Sequence, residues 1–254
     1  MTPTLVVPRR YCGPPVSGNG GWSSGALAAL VAGAPIDHAT PWPVIEVSLH
    51  APPPLDTELD VAMVDGATVA SRGGTRILSA RVDGTTLTPV DLVDPDEVAA
   101  ATAAFPGWET HAFATCFTCG TERAEGDGLR IFPGPTPSDA AVFASPWTPH
   151  PSTAEDWHAY VDGDQLASVA VTWAALDCPG GWAGGFGTRP MVLARMTARV
   201  DALPVVGAPH VVMARHLGTT GRKTRSATSL YDADGRLVAT SEQLWVAVDP
   251  AHFR

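Results

Sequence analysis

The sequence is poor in several features that would point to particular classes of protein. Charged residues make up only 17% of the 254 residues, and the formal net charge is −10. A chain with this balance is not expected to bind nucleic acid as its main partner. Binding of a polyanion would need a local basic cluster, and the densest one is formed by Arg222, Lys223 and Arg225.

Long apolar runs and cysteines are also scarce. No run of about 18 apolar residues suggests a membrane span, and the N-terminal MTPTLVVPRR lacks the apolar stretch of a signal peptide. The four cysteines, at positions 12, 116, 119 and 178, are too few for a disulfide scaffold. We therefore expect a protein of the reducing cytoplasm that has no membrane partner.

The clearest local signal in the chain is a hairpin within TTGRKTRSATSLYDADGRLVATSEQ, residues 219–243. Strand-forming residues run over 226–231, Asp234-Gly235 makes the turn, and Leu237 begins the return strand. Glycine accepts a positive φ without steric cost, so an Asp-Gly step between two such runs favours a tight turn. Polar residues at 241–243 and the basic cluster flank this hairpin, and a purely structural sheet would require neither.

Internal similarity suggests that the chain is duplicated. Residues 61–63, Val-Ala-Met, recur as Val-Val-Met at 211–213, and the same spacing aligns Arg72 with Arg222 and Leu87 with Leu237. A stretch rich in Ala, Gly and other small or apolar residues precedes each block, at 18–33 and 167–185. Strand-like segments follow at 44–50, 57–65, 75–82 and 85–93 in the first half, and at 191–200, 209–217, 225–232 and 236–248 in the second.

Each half therefore reads as a helix followed by a meander of antiparallel strands, which is an α+β unit. Residues 94–105, DPDEVAAATAAF, favour a short linking helix with Asp94 as its cap and Pro95 in its first turn. This divides the chain into a first half at 1–93, a linker with a short helix at 94–112, and a second half at 113–254.

Several motifs resemble those of the hotdog-fold acyl-CoA thioesterase superfamily. Residues 116–132, CFTCGTERAEGDGLRIF, resemble the "CxxCG…GLxL" opening of many members, and residues 172–183, TWAALDCPGGWA, are similar to the catalytic-aspartate segment of the phenylacetyl-CoA-type branch. Residues 238–243, VATSEQ, resemble the active-site glutamine segment of the type II acyl-CoA thioesterases. The resemblance implies a double hotdog, in which two long helices are each wrapped by a curved antiparallel sheet and the sheets join side by side.

Asp177 is the first candidate for chemistry. It lies on an apolar helical stripe with Leu166, Val169, Trp173 and other apolar residues, where a carboxylate needs neighbours to stabilise it or takes a raised pKa. Alternatively, Asp177 ends the helix and caps the next turn, since Pro179 follows closely. The resemblance implies that this aspartate is the nucleophile or general base toward a thioester, although the family does not usually place a proline there.

The second candidate is Asn19-Gly20-Gly21, which resembles the family's His-Gly-Gly with Asn in place of His. The first amides of a helix lack intrahelical partners, and two glycines would let a substrate carbonyl approach them as in an oxyanion hole. The alternative is an Asn cap followed by flexible glycines. Ala28 stands where the first half would need its acid, and residues 168–170, Ser-Val-Ala, stand where the second half would need its glycines. We therefore expect one composite site shared by the halves.

Further residues follow from the resemblance. It implies that Gln243 orients the attacking water, whereas glutamine more commonly faces outward from a strand. Thr197 is the nearest match to the third polar residue of the type II site, and the packing of Trp173 would help to set the depth of the acyl pocket. Arg222, Lys223 and Arg225 would hold the phosphates of coenzyme A, unless they only protect an exposed strand edge.

Cys116 and Cys119 could form half of a zinc site, which Cys178 or His111 would have to complete. One pair is not a site, so we expect packing cysteines, no metal and no cofactor. The leading function is hydrolysis of acyl-CoA thioesters. The alternatives are a non-catalytic acyl-CoA-binding protein and a hotdog hydratase or dehydratase. The resemblance leaves room for a homo-oligomer of such chains.

Overall fold

The computed structural model describes residues 3–31, 33, 40–154 and 164–253. It is an α+β protein with three α-helices among these residues: α1 (Gly20–Ala28), α2 (Pro95–Ala103) and α3 (Val169–Ala183). The described strands are β1 (Thr4–Leu5), β2 (Ile45–Leu49), β3 (Leu59–Val64), β4 (Ala67–Arg72), β5 (Thr75–Val82), β6 (Gly134–Pro135), β7 (Val142–Trp147), β8 (Met191–Val200), β9 (His210–Thr220), β10 (Lys223–Tyr231) and β11 (Leu237–Ala247).

All the described strands belong to one antiparallel sheet of 11 strands. The order is β1-β3-β4-β5-β2-β8-β11-β10-β9-β7-β6. The strands β3-β4-β5-β2 on one side of the centre mirror β9-β10-β11-β8 on the other. The two halves meet where β2 pairs with β8, for example Val47 with Met196. The strand order is therefore symmetric about this central pair.

Side chains alternate across the central strands because successive residues of a strand point to opposite faces. Ile45, Val47, Met196 and Ala198 are almost fully buried on the face covered by α1 and α3. Thr197, which alternates with them, is half-buried on the other face. The apolar core therefore lies on one side of the sheet. No helix in the described ranges is long and apolar enough to cross a membrane.

Two glycines allow α1 and α3 to pack closely. A Cβ atom added at Gly21 would lie 2.5 Å from the Cβ of Asp177, and one at Gly25 would lie 2.8 Å from the Cα of Ala170. Residues one turn apart on α1 thus contact successively earlier turns of α3, so the helices run antiparallel. Apart from Cys178, which is half-buried, every residue of α3 is buried. This explains its lack of a polar face.

The strands predicted at 44–50, 57–65, 75–82, 191–200, 209–217, 225–232 and 236–248 agree with the structure. The segment at 85–93 was predicted to be a strand and forms none, and β4 was not predicted. Pro89 cannot donate to a sheet ladder. Val90 is instead anchored to the second half, because its N–H donates to Ser229 Oγ and its C=O accepts from Tyr231 Oη. The linking helix is confirmed as α2, although no side-chain hydrogen bond from Asp94 caps it.

Candidate active site

The N-terminus of α1 meets the middle of α3 at one carboxylate. Asn19 is the N-cap of α1, and its Oδ1 accepts the N–H of Trp22 at 2.8 Å. Its Nδ2 donates to Asp177 Oδ2 at 2.9 Å, and the Gly21 N–H donates to the same oxygen at 3.0 Å. One oxygen of Asp177 therefore receives a side-chain and a main-chain donor from the other half of the chain.

The environment of Asp177 strongly disfavours its charged form. The residue is 2% exposed, and in the described part of the chain its Oδ1 has no hydrogen-bond partner. Burial is the largest of the causes that raise the pKa of Asp177 to about 7; Cys116 raises it further, while the donors from Gly21 and Asn19 oppose the rise. The prediction that Asp177 ends its helix is wrong, since α3 continues through Pro179 to Ala183.

A cavity of about 230 Å³ opens beside this pair. Asn19, Gly20 and Asp177 supply polar groups to its wall. Most of its lining is apolar and comes from both halves of the chain, including Leu49, Phe113, Trp182, Phe186, Leu193 and Trp245. A largely apolar cavity with a few convergent polar groups is the usual form of a small-molecule site.

The two glycines at the start of α1 are not equivalent. The Gly21 N–H is occupied by Asp177, and Gly21 itself lies in the helix interface. Gly20 lines the cavity, and within the described residues no hydrogen-bond acceptor is found for its N–H. Of the two amides predicted to form an oxyanion hole, only the one from Gly20 is open to a ligand.

Gln243 is buried against α3 rather than open to the cavity. Its Nε2 donates to the C=O of Leu176 at 2.5 Å and lies 3.1 Å from both Thr228 Oγ1 and Ser241 Oγ. Its Oε1 accepts from Ser226 Oγ at 2.9 Å and Trp245 Nε1 at 3.2 Å. These bonds fill the capacity of the amide, so Gln243 braces the helix turn that carries Asp177 and has no N–H left for a water molecule.

Thr197 and Trp173 do not line the cavity. Thr197 lies on the outer face of β8, where it pairs with Glu46 of β2 and Glu242 of β11. Trp173 is 2% exposed, and its Cβ lies 2.7 Å from the position of a Cβ on Gly25. Trp173 is therefore part of the helix interface, and the wall of the cavity is formed by other aromatic residues.

The basic cluster lies at the end of the sheet where β10 begins. Arg222 donates from Nε and Nη2 to the C=O of Ala247, and Arg225 pairs with Glu242 at 3.2 Å. Lys223 is exposed. Ala247 is paired with Met191, which lines the cavity, so Arg222 is close to the strand ends that form the cavity wall.

Thr118 completes the surroundings of Asn19 and was not predicted to be a site residue. Thr118 Oγ1 accepts from Asn19 Nδ2 at 3.3 Å and donates to the C=O of Ala174 at 2.9 Å. Cys116 lies beside it, and its Sγ is 3.5 Å from that of Cys178. Hydrogen bonds from the Cys119 and Cys178 thiols hold the pKa of Cys116 well below its usual value. The position of Cys178 directly after Asp177 was a signal in the sequence that a cysteine lies beside the candidate acid.

Solved structures match nearly the whole chain at low sequence identity. A candidate thioesterase from Novosphingobium aromaticivorans has a TM-score of 0.60 at 14% identity, and the match covers 97% of this chain and 95% of that chain. A conserved protein of unknown function with a hotdog fold from Alicyclobacillus acidocaldarius has a TM-score of 0.52 at 14% identity, and the match covers 97% of this chain and 93% of that chain. The dehydratase domain of PpsC from Mycobacterium tuberculosis, solved in complex with C12:1-CoA, has a TM-score of 0.55 at 15% identity. The match covers 96% of this chain and 90% of that chain.

No family model and no curated protein sequence matches the chain. The structural matches show that this protein has the hotdog fold, shared by proteins with different reactions. Because one fold hosts many activities, the function has to be argued from the site.

Proposed function

We propose that the protein hydrolyses acyl-CoA thioesters at a single site composed of both halves of a double hotdog. The observation that carries the proposal is the bonding of Asp177 on α3 to Asn19 and Gly21 at the start of α1, in the wall of a largely apolar cavity. The mirrored strand order supports two hotdog halves, at 1–93 and 113–254, joined by the linker at 94–112.

In this proposal the acyl chain occupies the apolar cavity and the thioester carbonyl faces the Gly20 N–H. The positive end of the α1 dipole then stabilises the oxyanion that develops on the carbonyl oxygen. Water attacks the carbonyl carbon and transfers a proton to Asp177, whose Oδ1 has no hydrogen-bond partner among the described residues. Collapse of the tetrahedral intermediate breaks the C–S bond, and the proton passes to the departing thiolate of coenzyme A.

Asp177 is assigned as a general base rather than a nucleophile because of how its two oxygens are held. The donors from Asn19 and Gly21 both bind Oδ2, so the buried Oδ1 is the oxygen left to accept a proton. Asn19 is then a positioning residue, and so is Gln243, which acts through the Leu176 carbonyl one residue before Asp177.

The proposal is tested by the release of free thiol from a panel of acyl-CoA esters of increasing chain length. The wild-type chain should release thiol with multiple turnovers, and Asp177→Asn should lower kcat by about a hundredfold or more. Asp60→Asn is the matched control, because Asp60 is exposed on β3 outside the cavity lining. Unchanged turnover in Asp177→Asn, or no thiol release by the wild type, would contradict the proposal.

A non-catalytic acyl-CoA-binding protein is the second candidate. It is favoured by the bond between the Gly21 N–H and Asp177, which occupies one of the two expected oxyanion donors with the acid itself. Calorimetry with an acyl-CoA, run beside the thiol assay, separates the two functions. Saturable binding without thiol release would favour this second candidate.

A dehydratase has less support from the site. His111 lines the same cavity as Asp177, as a His/Asp pair would require. Its Nδ1, however, accepts the N–H of Phe113, and its Nε2 lies 3.1 Å from the C=O of Cys119. With both ring nitrogens engaged by the main chain, His111 is not placed to exchange a proton with a substrate.

A further inference from the structure

Three cysteines converge on the wall of the cavity although they are far apart in sequence. Cys116 and Cys119 precede β6, whereas Cys178 belongs to α3. Their Sγ atoms all lie within 4.8 Å of one another, and the Cys116 and Cys178 atoms are 3.5 Å apart. A tetrahedral zinc ion with Zn–S bonds of about 2.3 Å holds its sulfur ligands about 3.8 Å apart. The cluster therefore already has nearly the dimensions of a thiolate site.

The surroundings of the sulfur atoms suit metal-bound thiolates. Asn19 Nδ2 lies 3.7 Å from Cys116 Sγ and 3.9 Å from Cys178 Sγ, within reach for N–H···S bonds. Such outer donors orient the ligands and spread the negative charge of a metal–thiolate centre. The Cys119 Sγ is buried in the same group.

We propose that Cys116, Cys119 and Cys178 form a Zn²⁺ site with three thiolate ligands and a fourth position open to the cavity. Zinc fits because its ligands here are soft thiolates and because it accepts a tetrahedral arrangement with one solvent ligand. Among the described residues, no fourth His, Cys, Asp or Glu atom joins the group. The sequence predicted packing cysteines because a single CxxC pair is not a site. In this proposal, Cys178 of α3 supplies the third ligand.

The site is tested first by metal binding alone, independently of any hydrolysis. Protein freed of metal with a chelator is titrated with Zn²⁺ against a chromogenic competitor, and the melting temperature is followed in parallel. We expect one ion per chain, bound with sub-micromolar affinity, and a melting temperature that rises with zinc concentration. Cys116→Ser, Cys119→Ser and Cys178→Ser should each weaken binding by more than about 100-fold.

Cys12→Ser is the matched control. Cys12 is also a free buried cysteine, but its Sγ bonds with Arg123 and with the C=O of Thr115 outside the cluster. This variant should keep the zinc affinity of the wild type. Asp177→Asn should also keep it within a few-fold while losing hydrolysis, so the metal site and the proposed activity can fail separately.

Cobalt substitution covers the case in which a cysteine variant does not fold. Wild-type protein loaded with Co²⁺ should show thiolate-to-metal charge-transfer absorption and the visible bands of a tetrahedral ion. Absence of these bands, absence of tight zinc binding, or full zinc affinity in a folded Cys178→Ser variant would each overturn the proposal. Loss of binding in Asp177→Asn would overturn the assignment of the fourth position to solvent.

Discussion

The Nδ2 atom of Asn19 lies 2.9 Å from the Oδ2 atom of Asp177, although the two residues belong to different helices in opposite halves of the chain. The same asparagine caps α1 through its Oδ1. One side chain therefore both fixes where α1 begins and holds the carboxylate of α3. This link joins the start of α1 to the candidate acid across the helix interface.

Replacing Asn19 separates these two roles. Serine is as good an N-cap as asparagine, but it is too short to reach Asp177 while capping, so Asn19→Ser should lower kcat by about tenfold or more through loss of a charge-assisted hydrogen bond. Asn19→Ala should lower kcat similarly and cost about 1 kcal/mol more in unfolding free energy, because the cap is also lost. Acyl-CoA turnover and urea unfolding measure the two effects. Turnover of Asn19→Ser at the wild-type rate would show that the bond to Asp177 is not used.

Gly21 should be intolerant of any side chain for a packing reason. A Cβ there would lie 2.5 Å from Asp177 Cβ and 2.6 Å from the carbonyl oxygen of Trp173, so the helices would have to separate. We expect Gly21→Ala to lower the unfolding free energy by about 1–3 kcal/mol and to impair turnover. Gly84→Ala is the control, since no atom lies within 4 Å of its added Cβ. Equal stability of the two variants would contradict the close helix contact.

Much of the fold was accessible from the sequence because turns and alternation mark most strands. Asp234-Gly235 correctly placed the hairpin of β10 and β11. The missed strand β4 has its own turn signals, since Gly66 and Gly73 on either side have φ values of +77° and +53°. The alignment of Leu87 with Leu237 placed the last strand of the first half at 85–93, a segment that buries Leu87 and Val90 without joining the sheet.

The candidate site could be predicted only in part, because a sequence does not give the direction of strand side chains or the distance between remote segments. Helical spacing placed Asp177 on an apolar stripe, the resemblance indicated Asn19-Gly20-Gly21, and the structure joins the two. Sequence alone does not fix which face of a strand looks inward, and a shift of one residue decides this for Thr197 on β8. The proximity of Cys178 to Cys116 depends on how α3 packs against a distant loop, which no local pattern encodes.

Replacing Gln243 distinguishes a structural role, in which it supports the α3 turn, from a direct role in catalysis. In Gln243→Leu, the C=O of Leu176 loses one donor and keeps Thr228 Oγ1, while Ser226 Oγ loses its acceptor and Trp245 Nε1 keeps only Ser226 Oγ in a buried environment. We expect a loss of about 2–4 kcal/mol in unfolding free energy together with lower turnover. Gln165→Leu is the control, because Gln165 is exposed. A Gln243→Leu protein of wild-type stability with low kcat would instead favour a role in positioning water.

Buried histidine should reduce stability on mild acidification, against an opposite contribution from Asp177. Burial is the main cause that lowers the pKa of His210 below its usual value of 6.5, against the opposing effects of the Ala208 carbonyl and Asp232. The unfolded chain then binds a proton at a higher pH than the folded chain, so the contribution of His210 to stability is full above about pH 6.5 and declines below it. The raised pKa of Asp177 acts in the other direction below about pH 7, so the decline should be measured by urea unfolding of Asp177→Asn from about pH 8 to about pH 5.5.

His210→Asn in the Asp177→Asn background isolates the contribution of this residue. Asparagine retains a donor toward the Ala208 carbonyl, which lies 2.9 Å from His210 Nδ1, but it does not titrate. Burial is also the main cause that lowers the pKa values of His50 and His111, so the variant should have a flatter pH dependence rather than none. A decline as steep as that of Asp177→Asn alone would assign the effect to the other histidines.

Arg222 should contribute to the binding of coenzyme A rather than to chemistry. Its guanidinium is held by the Ala247 carbonyl beside strand ends that line the cavity, whereas Arg225 is already paired with Glu242. Arg222→Ala should raise KM for acyl-CoA several-fold and leave KM for acyl-N-acetylcysteamine thioesters, which lack the nucleotide phosphates, unchanged. Added salt should reduce the difference in KM for acyl-CoA between Arg222→Ala and the wild type, because exposed charge interactions are screened.

Arg72→Ala is the matched control for this effect, since Arg72 is an exposed arginine at the hairpin of β4 and β5 and lies outside the cavity lining. It should behave as the wild type toward both kinds of thioester. An equal rise in KM for both substrates in Arg222→Ala would mean that Arg222 only supports the strand that carries Ala247 and does not bind the nucleotide. A similar rise for acyl-CoA in Arg72→Ala would mean that general surface charge, rather than this position, attracts the nucleotide.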